Sequence, residues 1–313
     1  MPTEFCPTPK RPSLNFHLFS IAKVPDALRH LIMDLAGAAK YIHYAIRTTE
    51  AGLAGKVNMF GEEQIKLDIL SDDIIRQHLC ESQMVASFAS EEQKDVIEFD
   101  PKAAYSVVYD PLDGSSLVEA NFAIGSIFGI YPGKELLGRK PREQVAALYT
   151  FYGPRTILVY GTEKGVHEFI LNEVGEFMLI REFLGIGDDA ENYSPGNLRA
   201  VTDTPSYRTL VNQWLDEALT LRYSGCMVAD IHHILSKGQG VFTNIGGNKY
   251  PEGKLRLAFE CGPLAYLVET AGGASSDGRH SLLDTPIEKL DQRTPIIIGS
   301  KNEVARATRI LAS

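Results

Sequence analysis

Tyr109-Asp110-Pro111-Leu112-Asp113-Gly114-Ser115-Ser116 is the stretch on which the reading of this chain turns. The apolar run Ser106–Tyr109 ahead of it reads as a strand. Asp110 then sits where that strand ends, a rigid place from which to aim a side chain, and Pro111 fixes the turn. Asp113 follows three residues later, close enough for both carboxylates to face one point. Gly114, Ser115 and Ser116 offer successive backbone N–H groups, the makings of an anion nest. Hard cations such as Mg²⁺ take oxygen ligands, commonly one or two carboxylates completed by phosphate oxygens. Two acids beside such a nest suit metal-assisted phosphate chemistry.

Working outward, Ser90-Glu91-Glu92 follows a second apolar run, Met84–Ala89. If the two strands are neighbours, the Glu pair and the Asp pair meet at one sheet edge. Asp68 and Asp72 stand at i, i+4 on a predicted helix and share a face, at a cost of a few tenths of a kcal/mol that a nearby metal would reverse. Asp72 and Asp73 are expected on the surface. Glu260 lies inside an apolar helical run, Leu255–Ala271, where a buried acid wants a partner such as a metal. Taken singly, an Asp-Pro turn or a Glu-Glu pair reads as a solvated turn. Acids after two separate strands, the second followed at once by Gly-Ser-Ser, carry the argument together.

The wider pattern is mixed α/β. Pro25–Ala51 and Glu62–Leu79 have helical apolar spacing. Strand signals follow at Met84–Ala89, Tyr105–Tyr109, Phe122–Tyr131, Val145–Tyr152, Thr156–Tyr160, Val166–Leu171 and Phe177–Ile180, the last four spaced as an antiparallel meander. Gly185–Gly196 turns to Gly, Asp, Asn, Ser and Pro and marks the expected boundary. Beyond it, helices (Pro205–Leu219, Val228–Lys237, Leu255–Ala271, Glu303–Leu311) alternate with extended runs (Leu221–Tyr223, Gly240–Thr243, Pro295–Gly299), a second α/β unit. Residues 1 to about 22 read as an arm without periodicity.

Composition bounds the function. At 313 residues and 44% hydrophobic content the chain can bury a large core or form two domains. No stretch has the ~20 apolar residues of a membrane span. The net charge of −9, with Lys and Arg scattered, argues against nucleic acid. Cys6, Cys80, Cys226 and Cys261 show no Cys-x-x-Cys spacing and read as reduced, mostly buried thiols. The proline-rich start has neither a secretory core nor a transit-peptide composition, so a cytoplasmic location is expected, or a plastid one for a trimmed mature form.

The two motifs together, Ser90-Glu91-Glu92 and Asp110 to Ser116, resemble the Mg²⁺-dependent, lithium-sensitive phosphatase superfamily of fructose-1,6-bisphosphatases and inositol monophosphatases. The likeness continues through residues 121–131, Arg222–Asp230 and Gly253–Cys261, from about residue 25 to the end, which favours the bisphosphatase branch. Within it, Tyr152–Arg155, Tyr193-Ser-Pro-Gly-Asn197, Gly240–Asn244, Ser275–Gly278 and Gly299–Glu303 look most like sedoheptulose-1,7-bisphosphatases. Fructose enzymes typically carry a tyrosine where this chain has Asn244 and an asparagine where it has Pro195.

The resemblance implies a layered α/β/α/β/α fold of two units. Residues 1–190 would hold the helix pair and metal motif, and residues 191–313 a sugar-phosphate-binding unit. It implies hydrolysis of the 1-phosphate of sedoheptulose 1,7-bisphosphate to sedoheptulose 7-phosphate, with a fructose or dual enzyme as the alternative. A non-catalytic phosphate-sensing relative would need a broken acid cluster, and this one is whole. Glu91, Asp110, Asp113, Glu260 and the Leu112 carbonyl would bind about two or three Mg²⁺ per site, or Mn²⁺ in its place. Asp68 and Glu92 would position or deprotonate water. Gly114, Ser115 and Ser116 would hold the phosphate to be cleaved. Asn197, Tyr223 and Lys254 would bind the sugar and its remote phosphate, and Arg222 would reach that phosphate in a neighbouring subunit of a homodimer or homotetramer. On the residues alone, Arg222 and Lys254 read equally as surface charges and Tyr223 as core packing. Thr48–Leu53 lacks the AMP-binding loop of fructose enzymes, and Cys6 and Cys80 do not resemble the plant light-regulated pair, so neither control is expected.

Overall fold

Two large sheets, one from each half of the chain, are separated and flanked by helices. The computed structural model describes residues 11–49, 52–57 and 63–312. Cys6, residues 50 and 51 at the end of the first expected helix, and Glu62 at the start of the second lie outside them.

The described part of the arm, from Arg11, folds onto the body of the molecule. Its first turn, α1 (Leu14–Phe16), passes into a π-turn at His17–Ile21 and buries Leu14, His17 and Leu18. Three buried positions are too few to show a period. α2 (Asp26–Thr48) starts directly after Pro25 and buries the expected stripe of Leu28, Leu31, Ile32, Leu35, Ala39 and Ile42. The second helix begins later than its pattern suggested. Glu63–Ile65 form β2, paired antiparallel with β1 (Leu53–Val57), and α3 runs from Lys66 to Ser82. The Lys66 N–H donates to the Gly52 carbonyl at 3.0 Å, so the hairpin, not a helical turn, satisfies the backbone there.

The first sheet has eight strands: β3 (Val85–Ser90), β4 (Ile97–Glu98), β5 (Tyr105–Asp113), β6 (Ile124–Pro132), β7 (Ala146–Tyr152), β8 (Thr156–Thr162), β9 (Gly165–Leu171) and β10 (Phe177–Arg181). Their order is β10-β9-β8-β7-β6-β5-β3-β4. β5 to β10 form an antiparallel meander, whereas β3 and β5 run parallel. The second sheet has the order β12-β11-β13-β15-β14, from β11 (Asn192–Pro195), β12 (Thr220–Leu221), β13 (Val241–Asn244), β14 (Ala274–Ser276) and β15 (Ile296–Gly299). Asn192–Pro195 falls in the stretch expected as a loop. Its composition is that of a turn, but tertiary pairing to β12 and β13 on both sides overrides it.

The remaining helices are α4 (Pro205–Asp216), α5 (Met227–Lys237), α6 (Gly262–Thr270) and α7 (Lys301–Leu311). One face of the first sheet, with Phe88, Tyr109, Phe128 and Tyr160, packs on α2 and α3. Its other face, with Val108, Ile127, Tyr149 and Val159, meets Ile231 and Ile234 of α5 and Leu264 and Leu267 of α6, which also cover Phe242 and Ile298 of the second sheet. Tyr193, Val241 and Ile297 on that sheet's far side pack under α4 and α7. The layers are therefore α/β/α/β/α, as expected. Among the described residues no helix is long and apolar enough to cross a membrane.

Candidate active site

β3 and β5 lie side by side with Ser90 opposite Tyr109, so their carboxyl ends deliver Glu91 and Asp110 to one place. The second aspartate arrives by a different route from the expected turn at Pro111. β5 continues to Asp113, with Asp110 paired to Ile127 and Asp113 to Gly125 of β6. Pro111 and Leu112 thus face the single residue Ser126, whose hydroxyl donates to the Pro111 carbonyl at 2.8 Å. On a regular strand, residues three apart point to opposite faces. The extra residue of this bulge brings Asp110 and Asp113 back to one face, and both line a cavity of ≈ 350 Å³.

Gly114 ends the strand at φ +81, and a Cβ there would lie 2.9 Å from Cβ of Cys226. Both the backbone and the close approach require glycine. Cys226 and the start of α5 in turn hold Asp113. Its Oδ2 accepts from the Val228 N–H at 2.6 Å and from the Cys226 thiol at 3.1 Å.

Glu260 sits on a π-turn, Leu257–Cys261, that runs into α6, where the sequence predicted continuous α-helix. π-Turns often mark functional sites. Glu260 Oε2 accepts from the Arg256 N–H at 2.7 Å. Carboxylate oxygens of Glu91, Asp110 and Glu260 can all lie within 4.8 Å of one another. Burial, and then the charges of Glu91, Asp113 and Glu260, push the Asp110 carboxyl well above the usual range. Burial pushes Glu260 up to about 7, against the pull of Arg256. It also raises Asp113, partly offset by the Val228 and Cys226 hydrogen bonds and by Lys254. Buried acids aimed at one another gain most from a cation between them, and an all-oxygen donor set suits a hard metal ion.

Comparison with known proteins agrees. The family model for the fructose-1,6-bisphosphatase N-terminal domain matches residues 17–182, and that for the C-terminal domain residues 186–312. The chain belongs to the fructose-1,6-bisphosphatase family. A class 1 fructose-1,6-bisphosphatase of Geobacter sulfurreducens is 48% identical over 290 residues, covering 92% of each chain. A chloroplastic sedoheptulose-1,7-bisphosphatase of Triticum aestivum is 41% identical, over 92% of this chain and 74% of the relative. The crystal structure of Leishmania major fructose-1,6-bisphosphatase superposes with a TM-score of 0.91 at 29% identity, covering 97% of this chain and all of that one. The protein is thus a sugar bisphosphatase, a phosphoric monoester hydrolase.

In this bisphosphatase most of the expected residues share the one cavity. Asp68 from α3, Glu92, the Leu112 to Ser116 turn, Tyr223 and Lys254 line it with the acids. The Tyr223 hydroxyl donates to the Gly196 carbonyl at 3.0 Å. Two residues stand apart from the cavity wall. Asn197 donates to the Ile245 carbonyl at 2.7 Å, and Arg222, exposed, donates to the Leu221 carbonyl at 2.8 Å.

Sequence reasoning missed Arg256 and Asp230 and misplaced Asp72. Arg256 is buried in the cavity wall and ion-paired with Glu91. The signal was the alternation Lys254-Leu255-Arg256-Leu257, which puts both cations on one side of an extended segment. Asp230, in the first turn of α5, accepts from the Ser224 N–H at 2.8 Å and is pushed up to about 7 by burial. Its sequence context is that of an ordinary helix-start acid. Asp73 is exposed as expected, but Asp72 is 3% exposed.

Proposed function

We propose that this bisphosphatase hydrolyses the 1-phosphate of fructose 1,6-bisphosphate and takes sedoheptulose 1,7-bisphosphate as a second substrate, with Mg²⁺ as its cofactor and Mn²⁺ as a substitute. The observation that carries this is the acid trio Glu91, Asp110 and Glu260 beside the Gly114–Ser116 turn in one cavity. The names of the bacterial relatives favour the six-carbon sugar. The seven-carbon sugar is favoured by the wheat relative and by Asn244 in the cavity lining, where fructose enzymes typically carry a tyrosine. There Asn244 sits beside Gly196 and Phe242, with its buried Oδ1 lacking a hydrogen-bond partner.

Glu91, Asp110, Asp113, Glu260 and the Leu112 carbonyl would hold the cations. Bound there, Mg²⁺ supplies charge neutralisation for the phosphoryl group and its leaving oxygen. Asp68 and Glu92 orient the attacking water and accept its proton. The backbone N–H groups of the Gly114–Ser116 turn cradle the reacting phosphate, and Arg256, ion-paired with Glu91, adds positive charge to the same cavity. Lys254 and Tyr223 fix the sugar and its remote phosphate, with Asn197 shaping the loop behind them. Arg222 completes that subsite in a neighbouring subunit of a dimer or tetramer. Residues 1–190 supply most of the groups that act on the phosphate, joined there by Arg256 and Glu260, and residues 191–313 supply those that read the sugar.

Phosphate release with Mg²⁺, measured on both sugars in parallel, tests this. Turnover of both with kcat/KM favouring fructose 1,6-bisphosphate is expected. Preference for the seven-carbon sugar would reverse the order of the two substrates, and no release from either would sink the assignment.

A further inference from the structure

Asp72 is a buried acid for which the catalytic reading has no use, since it is not on the cavity wall. Three side chains donate to its carboxylate. The Ser90 hydroxyl reaches Oδ1 at 2.6 Å, the Tyr109 hydroxyl Oδ1 at 2.9 Å, and Gln93 Nε2 reaches Oδ2 at 2.8 Å. Each donor adjoins a residue of the site: Ser90 precedes Glu91, Tyr109 precedes Asp110, and Gln93 follows Glu92. The Ser90 hydroxyl also accepts from the Glu92 N–H at 3.1 Å. The Glu91 N–H donates to the Tyr109 carbonyl at 3.1 Å, and the Gln93 N–H to the Ser90 carbonyl at 3.1 Å. One turn earlier on the same face of α3, Asp68 lines the cavity.

We propose that Asp72 is a positioning residue, which locks α3 to the ends of β3 and β5 and so sets Asp68 against Glu91 and Asp110. A helix can be held on a sheet by apolar packing alone, and α3 already has Leu67, Ile75 and Leu79 for that. A buried carboxylate carries a desolvation cost that hydrophobic contact does not. What it provides in return is direction: charge-assisted hydrogen bonds fix three side chains at defined angles, as groups behind a metal ligand commonly do. The inference rests on reading Glu91 and Asp110 as cation ligands.

The test is calorimetric titration of Mg²⁺ into metal-free wild type, Asp72→Asn and Tyr109→Phe, well below the unfolding temperature of each, alongside kcat and KM. Asp72→Asn is expected to weaken Mg²⁺ binding and lower kcat by roughly tenfold or more, leaving KM nearly unchanged. Tyr109→Phe, which removes one donor and keeps the carboxylate, should lose a smaller factor and add little in the Asp72→Asn background. Wild-type Mg²⁺ affinity in both variants would overturn the proposal while leaving the ligand reading intact. So would losses confined to thermal stability. No Mg²⁺ binding by wild type would overturn both. If Asp72→Asn does not fold, Tyr109→Phe and Gln93→Ala decide the matter by the same criterion.

Discussion

Among the described residues, two places gather three potential metal-binding side chains within 4.8 Å: Glu91, Asp110 and Glu260 at the cavity, and His17, His167 and Glu182 where the arm meets the first sheet. Their donor atoms are used differently. His17 has both ring nitrogens engaged, Nδ1 with the Tyr160 hydroxyl at 2.8 Å and Nε2 with Glu182 at 3.0 Å. The Phe183 N–H donates to Nδ1 of His167 at 3.4 Å. Burial pushes both imidazoles down, His167 to about 4, so the pair is neutral and held by protein partners. Asp110 and Glu260, in contrast, are forced up by burial and by the charges of neighbouring acids. Proximity alone does not make a metal site. What distinguishes the two is whether folding leaves the charges in conflict.

The largest expected difference is in turnover. Asp113→Ala should abolish activity with the fold intact, and Asp110→Ala should cut kcat by roughly 10²–10³-fold or more, whereas His167→Ala should leave kcat within a factor of about three, as it touches nothing at the cavity. Near-wild-type kcat in Asp113→Ala would erase the contrast. Next in size, Lys254→Met should raise KM by roughly tenfold with a smaller change in kcat, because one charged contact to substrate is lost.

The two trios also predict opposite pH dependences of stability, readable from melting curves of metal-free protein. Glu260 is raised to about 7, so the stability it contributes is full below about pH 4 and is lost as pH rises through about 7, and Asp110 is shifted in the same direction. Mg²⁺ should therefore raise Tm more at pH 8 than at pH 5. His167 is lowered to about 4, so its contribution is present above about pH 6.5 and is lost as pH falls through about 4, and His17 is shifted in the same direction. Equal Mg²⁺ shifts at both pH values would argue against cations at the acid trio. The smallest effect is expected from Tyr160→Phe, which removes the partner of His17 Nδ1 and should cost about 1 kcal/mol by denaturant unfolding, with activity unchanged.

Much of this was legible in the sequence because the signals were local. The stripe on α2, the meander β7–β10 and the gathering of acids at the ends of β3 and β5 each follow from periodicity and turn chemistry within a few residues. What escaped depends on contacts between distant segments. Asp72 looks like a surface acid until Ser90 and Tyr109 fold over it. Asn192–Pro195 reads as a loop until strands close on both sides. Arg256 declares itself only when Glu91, 165 positions earlier, lies beside it. The π-turn at Leu257–Cys261 follows the same apolar pattern as an ordinary helix, so no period separates them.

The bulge at Pro111–Leu112 has one further consequence. The acid pair works because β5 counts two residues where β6 counts one, shifting the strand's in-out alternation by half a cycle at that point. Inserting one residue between Gly125 and Ser126 would give Leu112 a partner of its own, restore regular phase and turn Asp113 toward the opposite side of the sheet from Asp110, although every acid would still be present in the sequence. The motif is therefore a matter of parity as well as composition. Moving it into another protein would require carrying the Gly125–Ser126 stretch of the neighbouring strand with it.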